Sequence, residues 1–389
     1  MKILLSVTVY FAVIIFFIAC SKDEAVVQSS DQIVQKYLNI DLNNLPKYGT
    51  ISYPNYYTPN ILGQLNTPPT NQINDKTATL GRVLFYDKQL SLNNTVSCAS
   101  CHQQANGFTD KKVLSEGFKG GLTGKHSMRL GNISFYPDGR MFWDKRASSV
   151  EDQSTRPIQD ATEMGFDVSV GGIDSLLRKM KKIEYYPVLF KNAFGNEEIN
   201  ETKMQLALAQ FLRSMVSINS KFDEGFAKVF SPLLQGGGVG NNFPNFTAQE
   251  NLGKSLFLAP PNTGGAGCGV CHSAPVFSLA ANSLNNGLDA NETVIFKSPS
   301  LKNIALAPPY MHDGRFGSLE QVIEHYNSGI TSGRTLDPRL SVPAPPNQNN
   351  PAPLRLNLSQ NDKAALVAFL NTLTDNVLTT DTKFSNPFK

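Results

Sequence analysis

Two short stretches of the chain share one pattern: Cys98-Ala-Ser-Cys101-His102 and Cys268-Gly-Val-Cys271-His272. In each, two other residues separate the cysteines, and a histidine follows the second cysteine directly. They contain four of the five cysteines, and the fifth is Cys20. In this spacing two thiols can add across the two vinyl groups of a porphyrin, while the histidine offers its imidazole to the iron. The pattern therefore predicts two covalently bound c-type haems, with His102 and His272 as iron ligands.

Other uses of such cysteine pairs agree less well with the sequence. Zinc sites combine pairs that lie ~12–20 residues apart, whereas Cys101 and Cys268 are 167 residues apart. Disulfides and thioredoxin-like motifs do not require a histidine after both second cysteines, and no βαβ pattern surrounds these motifs. Haem attachment is the interpretation that uses every cysteine and histidine of both motifs.

The chain also repeats itself around the two motifs. Leu80–Phe85 precedes the first motif, and the similar Leu252–Phe257 precedes the second at nearly the same distance. Trp143 follows the first motif's histidine by 41 residues, and His312 follows the second's by 40. Such matched spacing is what duplication of one domain leaves. Because no stretch alternates convincingly as a strand, the predicted fold class is all-α, with two cytochrome-c-like haem domains related by duplication and long loops.

Periodicity and composition suggest the domain boundaries. A periodic helix at 202–220 would close the first domain, and 233–245 has the Gly- and Asn-rich composition of a linker. Thr247–Glu250 is a capping-box start for the next helix, and 359–375 is predicted to be the final helix. The predicted division is a signal peptide at 1–20, a tether or wrapping arm at 21–75, a first haem domain at 76–240 and a second haem domain at 241–389.

The N-terminus has the features of an export signal. Residues 3–19 form an unbroken apolar run that is too short to span a bilayer. Cys20 follows the small residue Ala19, as in bacterial lipoproteins whose N-terminal cysteine is acylated. We therefore expect a lipoprotein signal peptide, lipidation at Cys20 and a protein in the periplasm or on the outer membrane, where it could face the cell surface. A soluble export product with a chance cysteine is the alternative.

The charge pattern argues against a nucleic-acid partner. The formal net charge is +3, and residues of both signs are interspersed without a basic block. No later segment is apolar for long enough to span a bilayer. Membrane contact is therefore expected only through the lipid anchor.

Several further segments carry a family resemblance: Phe142–Arg146, Gln153, Pro157, Glu163–Gly165 and Ala307–Gly314. Together with the two haem motifs, they resemble the bacterial di-haem cytochrome c peroxidases and MauG, over roughly residues 75–375. The resemblance implies that the haem of the first domain is peroxidatic and meets hydrogen peroxide. It implies that the haem of the second domain is the electron-transfer haem, which receives electrons from a small cytochrome c or cupredoxin.

The resemblance assigns catalytic roles to three residues. Glu163 matches the distal glutamate that moves a proton between the peroxide oxygens as their bond breaks, and Gln153 matches its polar neighbour. Trp143, the only tryptophan in the chain, matches an electron relay between the haems. From the residues alone, Glu163 could equally lie in a solvent-facing turn and Trp143 in the core.

Position 118 departs from the family pattern. Many members have a histidine in this loop that caps the first haem at rest, whereas this chain has Phe118, so we expect an open first haem. His126 is the alternative sixth ligand if the loop is shifted. It also stands where an asparagine usually helps to hold calcium between the domains, and histidine is a poor calcium ligand. Calcium is therefore left open, with the carbonyls near Ala307 and Pro309 as candidate ligands.

The distal ligand of the second haem is another departure. Family peroxidases have a methionine fourteen residues beyond the histidine that corresponds to His312, and here that count reaches Tyr326. A methionine ligand raises the potential of a haem, whereas a tyrosinate lowers it. The resemblance thus places His312 and Tyr326 at the second haem in a MauG-like arrangement. Met311 is the rival ligand.

Three functions remain open from the sequence. The first is a cytochrome-c-peroxidase-type oxidoreductase that reduces hydrogen peroxide to water with electrons from a small redox protein. The second is a MauG-like oxidase that uses peroxide to oxidise a protein or other substrate through Trp143. The third is a non-enzymatic di-haem electron carrier, which would need neither Glu163 nor an open iron. A homodimer is compatible with all three.

Overall fold

The computed structural model describes residues 28–343 and 351–389. The predicted signal peptide and Cys20 lie outside the described residues, as does the beginning of the predicted arm. Nowhere in the described part is a helix both long enough and apolar enough to cross a membrane. Long loops and short 3₁₀ turns join thirteen α-helices in this part: α1 Ser30–Tyr37, α2 Pro59–Leu62, α3 Asp75–Tyr86, α4 Cys98–Cys101, α5 Val150–Ser154, α6 Gly172–Met180, α7 Tyr185–Phe194, α8 Glu201–Arg213, α9 Lys221–Val229, α10 Ala248–Leu258, α11 Leu319–Glu324, α12 Gln360–Asn371 and α13 Asn376–Thr380.

Regular β-structure is limited to one short ladder in the described residues. Strand β1, Ser341–Val342, pairs antiparallel with strand β2, Ala352–Pro353. The all-α prediction did not include this ladder. It is confirmed in its coarser form, a helix-rich fold with little sheet.

Two helix pairs form the same kind of close crossing in the two halves of the chain. A side chain on Gly81 of α3 would place its Cβ 2.0 Å from the carbonyl oxygen of Ala207 in α8. A side chain on Gly253 of α10 would meet Ala365 in α12 at 1.9 Å. Only glycine permits such backbone approach. The glycines of the two repeated segments thus fix equivalent crossings beside the two haem motifs.

The core consists of two hydrophobic clusters. The first is built mainly from α3, α7 and α8, and the second from α9, α10 and α12. The N-terminal arm contributes to both, because Val34 and Leu38 lie in the first cluster while Tyr56 and Tyr57 lie in the second. Described residues of the arm therefore pack against both halves.

The predicted helix starts agree with the structure better than the predicted helix ends. Thr247 and Glu250 form the expected capping box, and Ser359 caps α12. The helix predicted at 202–220 is shorter, since α8 ends at Arg213. Likewise, the helix predicted at 359–375 ends at Asn371.

Candidate haem sites

A small cavity of about 70 Å³ gathers the residues predicted for the first haem. Helix α4 carries both cysteines of the first motif on a single turn. Gln153 comes from a separate segment, helix α5. The sequence predicted five of its lining residues, which are spread over residues 98–163 of the chain: Cys98, Cys101, His102, Gln153 and Glu163.

His102 is oriented as an iron ligand would be. Its Nδ1 lies 3.0 Å from the carbonyl oxygen of Phe108 and 3.2 Å from Oγ of Ser127. Its Nε2 takes part in no hydrogen bond among the described residues. Burial lowers the pKa of His102, which favours the neutral imidazole that binds metals. A backbone acceptor on Nδ1 fixes the tautomer whose Nε2 is free for iron.

Glu163 lines the same cavity with a carboxyl group that makes no hydrogen bond among the described residues. Burial raises the pKa of Glu163 to about 7, and the nearby Asp160 adds to this effect while Arg146 opposes it. A carboxyl group with this pKa can both accept and return a proton near neutral pH. The side chain of Gln153 is likewise without a hydrogen-bond partner in the described part of the chain.

Neither Phe118, which stands where the family has a capping histidine, nor the alternative ligand His126 lines this cavity. Phe118 is 7% exposed, its ring packs directly on Gly165, and its backbone N–H donates to the carbonyl of Glu163 at 3.0 Å. His126 Nδ1 lies 2.9 Å from the carbonyl oxygen of Lys112. His126 lines the second cavity instead.

A larger cavity of about 430 Å³ lies beside the second motif. It is lined by Cys268, Cys271 and His272. Nδ1 of His272 is buried without a hydrogen-bond partner in the described part, and burial lowers its pKa to about 4. The imidazole is therefore neutral at physiological pH and able to bind a metal.

Both rival ligands of the second haem face this larger cavity. Nδ2 of Asn286 lies 3.4 Å from Oη of Tyr326 and 3.6 Å from Sδ of Met311. Tyr326 lies on a π-helical turn, His325–Gly329, that continues α11. Such turns are frequent at functional sites. Burial raises the pKa of Tyr326 to about 12, so a tyrosinate would form there only if a bound metal stabilised it.

Trp143 lines the larger cavity together with His126 and His312. Its indole Nε1–H donates to the carbonyl oxygen of His126 at 2.7 Å. The backbone N–H of His126 in turn donates to the carbonyl oxygen of His312 at 2.9 Å. The rings of Trp143 and His312 lie 6.4 Å apart, edge to face, and His312 stacks on Phe296 at 3.9 Å. The two residues that correspond in the repeat are thus neighbours in space.

The larger cavity is also lined by two basic residues that sequence reasoning did not select, the half-buried Arg129 and the buried Lys297. Arg129 Nε is buried without a hydrogen-bond partner in the described part, and burial lowers the pKa of Arg129 to about 10. Lys297 is 3% exposed, and burial lowers its pKa to about 7. Basic groups in such surroundings call for an anionic partner. The carboxylates of a haem would supply one.

The two cavities fit a haem to different degrees. The larger one has the volume of a cofactor site, the two thiols, the neutral imidazole and the two cations. The smaller one has the thiols, the imidazole and the polar distal residues, but its walls would have to separate to admit a haem. The thiols and the imidazole that would hold a haem are therefore present at both cavities.

The predicted calcium site is not resolved by the structure. Ala307 is buried, and Pro309 lines the larger cavity. The described residues contain no group of three or more His, Cys, Asp or Glu side chains suited to a metal ion. Calcium bound by backbone carbonyls stays a prediction.

Comparisons with known proteins agree with this site. The family model described as di-haem cytochrome c peroxidase matches residues 75–228. MauG, the methylamine utilization protein of Methylorubrum extorquens, is 33% identical over 322 residues, which cover 79% of this chain and 80% of that protein. Cytochrome c551 peroxidase of Nitrosomonas europaea is 30% identical over 316 residues, 76% of this chain and 79% of that protein.

A solved structure extends the likeness. The crystal structure of a MauG-like protein associated with microbial copper homeostasis is 27% identical, with a TM-score of 0.65 over 88% of this chain and 98% of that chain. The helix-rich fold and the paired sites define a c-type cytochrome of the peroxidase class, an oxidoreductase. The chain belongs to the di-haem cytochrome c peroxidase family that includes MauG. Membership implies c-type haem as the cofactor.

Proposed function

We propose that this protein reduces hydrogen peroxide to water at the first site, with electrons that a small redox protein delivers to the second. The observation that carries the proposal is the carboxyl group of Glu163, which lies beside His102 and the first cysteine pair without a hydrogen-bond partner in the described part. Its pKa of about 7 suits proton transfer at neutral pH. An electron carrier would have no use for such a group.

The protein's own residues supply the proton chemistry. A bound haem would supply an iron centre that binds peroxide and passes it electrons. Glu163, as carboxylate, takes the proton from one peroxide oxygen and gives it to the other, so that water leaves as the O–O bond breaks. The amide of Gln153 can donate a hydrogen bond within the same cavity. Two electrons and two protons per peroxide complete the conversion to two waters.

Covalent attachment and domain duplication are part of the proposal. Attachment through thioether bonds is supported by two cysteines at each cavity, all four free of disulfides. Duplication is supported by the equivalent crossings at Gly81 and Gly253. It is also supported by Asn132 and Asn303, which share a left-handed backbone, with φ of 61° at both. The proposed domains are 76–240 and 241–389.

Trp143 is proposed as the electron relay between the sites. Its hydrogen bond to His126 and its approach to His312 join a segment of the first half to one of the second. Trp143 also lines the larger cavity. An aromatic ring in this position shortens the gap that an electron must cross.

One observation favours a second function, the MauG-like oxidation of a protein or other substrate. Tyr326 Oη faces the larger cavity beside Asn286, where a phenol can serve as the distal ligand in place of a methionine. A tyrosinate ligand lowers the potential of a haem. This would make the second site a poor acceptor of electrons from a small carrier and a better place to hold oxidising equivalents. The similarity to MauG of Methylorubrum extorquens agrees with this alternative.

The sequence predictions for location and assembly are retained as proposals. They are lipidation at Cys20 after removal of residues 1–20, a periplasmic or outer-membrane position, a calcium ion between the domains and association as a homodimer.

The donor stoichiometry tests the two functions against each other. The haem-loaded protein is mixed with hydrogen peroxide and a reduced small cytochrome c or cupredoxin, and both reactants are followed. A peroxidase oxidises two one-electron donors for each peroxide consumed, at a steady rate. If peroxide alters the haem spectrum but no donor is oxidised, the MauG-like function is supported instead. If peroxide causes no spectral change, both proposals are wrong.

A further inference from the structure

Three tyrosines lie in a row between the core around the first haem motif and the surface. Tyr186 is 0% exposed and Tyr185 is 4% exposed, and their ring centroids are 4.7 Å apart. The ring of Tyr37, at the end of α1 in the N-terminal arm, lies 5.3 Å from that of Tyr185 and is half-buried. The row therefore begins in the core and ends at the surface.

The inner end of this row lies near the first haem-attachment site. Tyr186 belongs to the first hydrophobic cluster, against which Cys98 packs. Burial raises the pKa of Tyr186 well above its ordinary value, and the Cys98 thiol is close enough to contribute. Cys98 is one of the two thiols that would bind the porphyrin.

Each phenol in the row donates a hydrogen bond to a carboxylate. Tyr185 and Tyr186 both donate to Oδ2 of Asp87, at 2.6 and 2.5 Å. Tyr37 donates to Oε2 of Glu184 at 2.9 Å. Asp87 is 3% exposed, and Oδ1 also accepts the backbone N–H of Gln89 at 2.7 Å. A phenol that loses an electron becomes a strong acid, so a carboxylate already in contact makes that loss far easier.

A fourth tyrosine shows what distinguishes this arrangement. Tyr56 also donates to a buried carboxylate, Oδ1 of Asp223 at 3.0 Å. The other oxygen of Asp223, however, forms an ion pair with the buried Lys302 at 2.5 Å. Asp223 thus already has a positively charged partner in direct contact. Asp87 has no ion-pair partner among the described residues, so it is the better proton acceptor.

We infer that Tyr186, Tyr185 and Tyr37 form an exit route by which oxidising equivalents leave the first haem site for the protein surface. The inference rests on the proposed reaction with peroxide. Tyr186 gives an electron to the oxidised first site and its proton to Asp87. Tyr185 then gives an electron to Tyr186, which regains a proton from Asp87 as Tyr185 passes its own to the same oxygen.

Tyr37 completes the route at the surface. It gives an electron to Tyr185 and its proton to solvent, because its hydrogen-bond acceptor Glu184 is already ion-paired with Lys36 at 2.9 Å, while Asp87 returns the proton of Tyr185. Lys36 Nζ lies 4.9 Å from the Tyr37 ring centroid and would disfavour a positive charge on that ring. Loss of the Tyr37 proton avoids that charge. The surface radical can be reduced by a donor or can couple to another phenol, and so it would relieve the haem site when the usual electron donor is scarce.

The experiment traps the radical where it emerges. The haem-loaded full-length protein is mixed with hydrogen peroxide and N-acetyltyrosinamide without an electron donor, and the adducts are mapped by mass spectrometry. One peroxide takes two electrons and two protons from two phenols, giving two waters and one new bond between the phenols. We expect the adduct at Tyr37. Freeze-quench electron paramagnetic resonance should show a tyrosyl radical in the same samples.

Tyr186→Phe and Tyr185→Phe keep both rings but interrupt the route, and Tyr56→Phe is the matched control. We expect the Tyr37 adduct to fall at least about tenfold in the first two, the effect of ~1.4 kcal/mol on a transfer barrier, and to be unchanged in the control. Asp87→Asn, which keeps the shape but takes no proton, should give the same loss. Haem content and the spectral change with peroxide verify that each variant is folded and loaded.

Two outcomes would overturn the inference in distinct ways. If wild type reacts with peroxide but Tyr37 is not labelled, or is labelled equally in the Tyr186 and Tyr185 variants, the exit route is wrong and the proposed function stands. If the haem spectrum of the loaded wild type does not respond to peroxide, the proposed function fails and the exit route fails with it.

Discussion

The two haem motifs have the same spacing of cysteines and histidine but face very different cavities. The first motif lines a cavity of about 70 Å³. The carboxyl group of Glu163 and the amide group of Gln153 also line it, and neither has a hydrogen-bond partner in the described part. The second motif lines a cavity of about 430 Å³, together with a phenol, a thioether and two basic side chains. Under the proposed function, one repeated motif therefore serves two kinds of chemistry. Proton transfer is assigned to the first site, and the tuning of haem potential is assigned to the second.

This difference separates what the two halves of the proposed duplication share from what they do not. The helix crossings at Gly81 and Gly253 are alike because they support the motif itself. The distal residues differ because they come from loops and short helices that follow the motif, such as α5 on one side and the π-helical turn after α11 on the other. Changes confined to one site should therefore leave the other site as it is.

Removal of one cysteine pair should have the largest effect. Cys98→Ser with Cys101→Ser should abolish covalent haem at the first site and leave the second loaded, because each motif binds its own porphyrin. A pyridine haemochrome assay should give two haems per chain for wild type and one for the variant. The pair Cys268→Ser and Cys271→Ser is the matched control and should also give one. Two haems in either variant would contradict thioether attachment.

Glu163→Gln should be the most damaging change that leaves both haems in place. It keeps the shape but removes the titratable oxygen, so the peroxide reaction should slow by roughly 10²–10⁴. Stopped-flow absorbance measures the rate. Glu116→Gln is the control, because Glu116 lines the same cavity but pairs with Lys112 at 2.9 Å on the surface. Equal rates in wild type and Glu163→Gln would exclude Glu163 from the mechanism.

The pH dependence should depend on the same residue. Burial raises the pKa of Glu163 to about 7, and only the carboxylate can accept a proton from peroxide. The rate should therefore be constant above pH ~7 and fall up to about tenfold for each unit below it. At pH values between the ordinary pKa of a glutamate and about 7, Glu163 keeps a proton in the folded protein that it releases in the unfolded chain. The contribution of Glu163 to the free energy of unfolding therefore falls as the pH rises through this range. Glu163→Gln should remove both slopes, and a wild-type profile that is flat from pH 5 to 8 would contradict the assignment.

The features that sequence predicted well are local ones. The capping box at Thr247 and the start of the final helix at residue 359 each depend on a few neighbouring residues, and both lie where expected. The end of α8 was missed because distant side chains determine it. The N–H of Ser217 donates to Asn132 at 2.7 Å, and the N–H of Asn219 donates to Asp375 at 3.0 Å. These acceptors replace the carbonyls that a longer helix would have used.

The cavity linings show the same limit. The resemblance selected Glu163, Gln153 and Tyr326, and the structure places each of them in a cavity beside a haem motif. It gave no indication of Asn286, which approaches both rival ligands, or of Arg129. Asn286 lies in a loop without helical or strand periodicity, and its role depends on where that loop is placed by contacts such as Asn285 N–H to the Thr335 carbonyl at 2.9 Å.

A smaller effect, confined to the second site, should distinguish Tyr326 from Met311. If Tyr326 is the ligand, Tyr326→Phe should change the resting absorption spectrum of the second haem and raise its reduction potential, because an anionic donor is lost. Met311→Leu should then change neither. Spectroelectrochemistry of both variants gives the answer. The opposite pattern would assign the methionine, and the first haem should keep its spectrum in either case.

The smallest effect is expected from His126→Ala. His126 is the only alternative found in the sequence to an open first haem, yet its Nδ1 lies 2.9 Å from the Lys112 carbonyl and its side chain lines the other cavity. Trp143 bonds to the backbone carbonyl of His126, which the substitution retains. The first haem should therefore be high-spin in the oxidised wild type and equally so in the variant, by electron paramagnetic resonance and visible absorption. A low-spin wild type that becomes high-spin and peroxide-reactive only in His126→Ala would show that His126 caps the first iron, and that the small cavity rearranges when haem is bound.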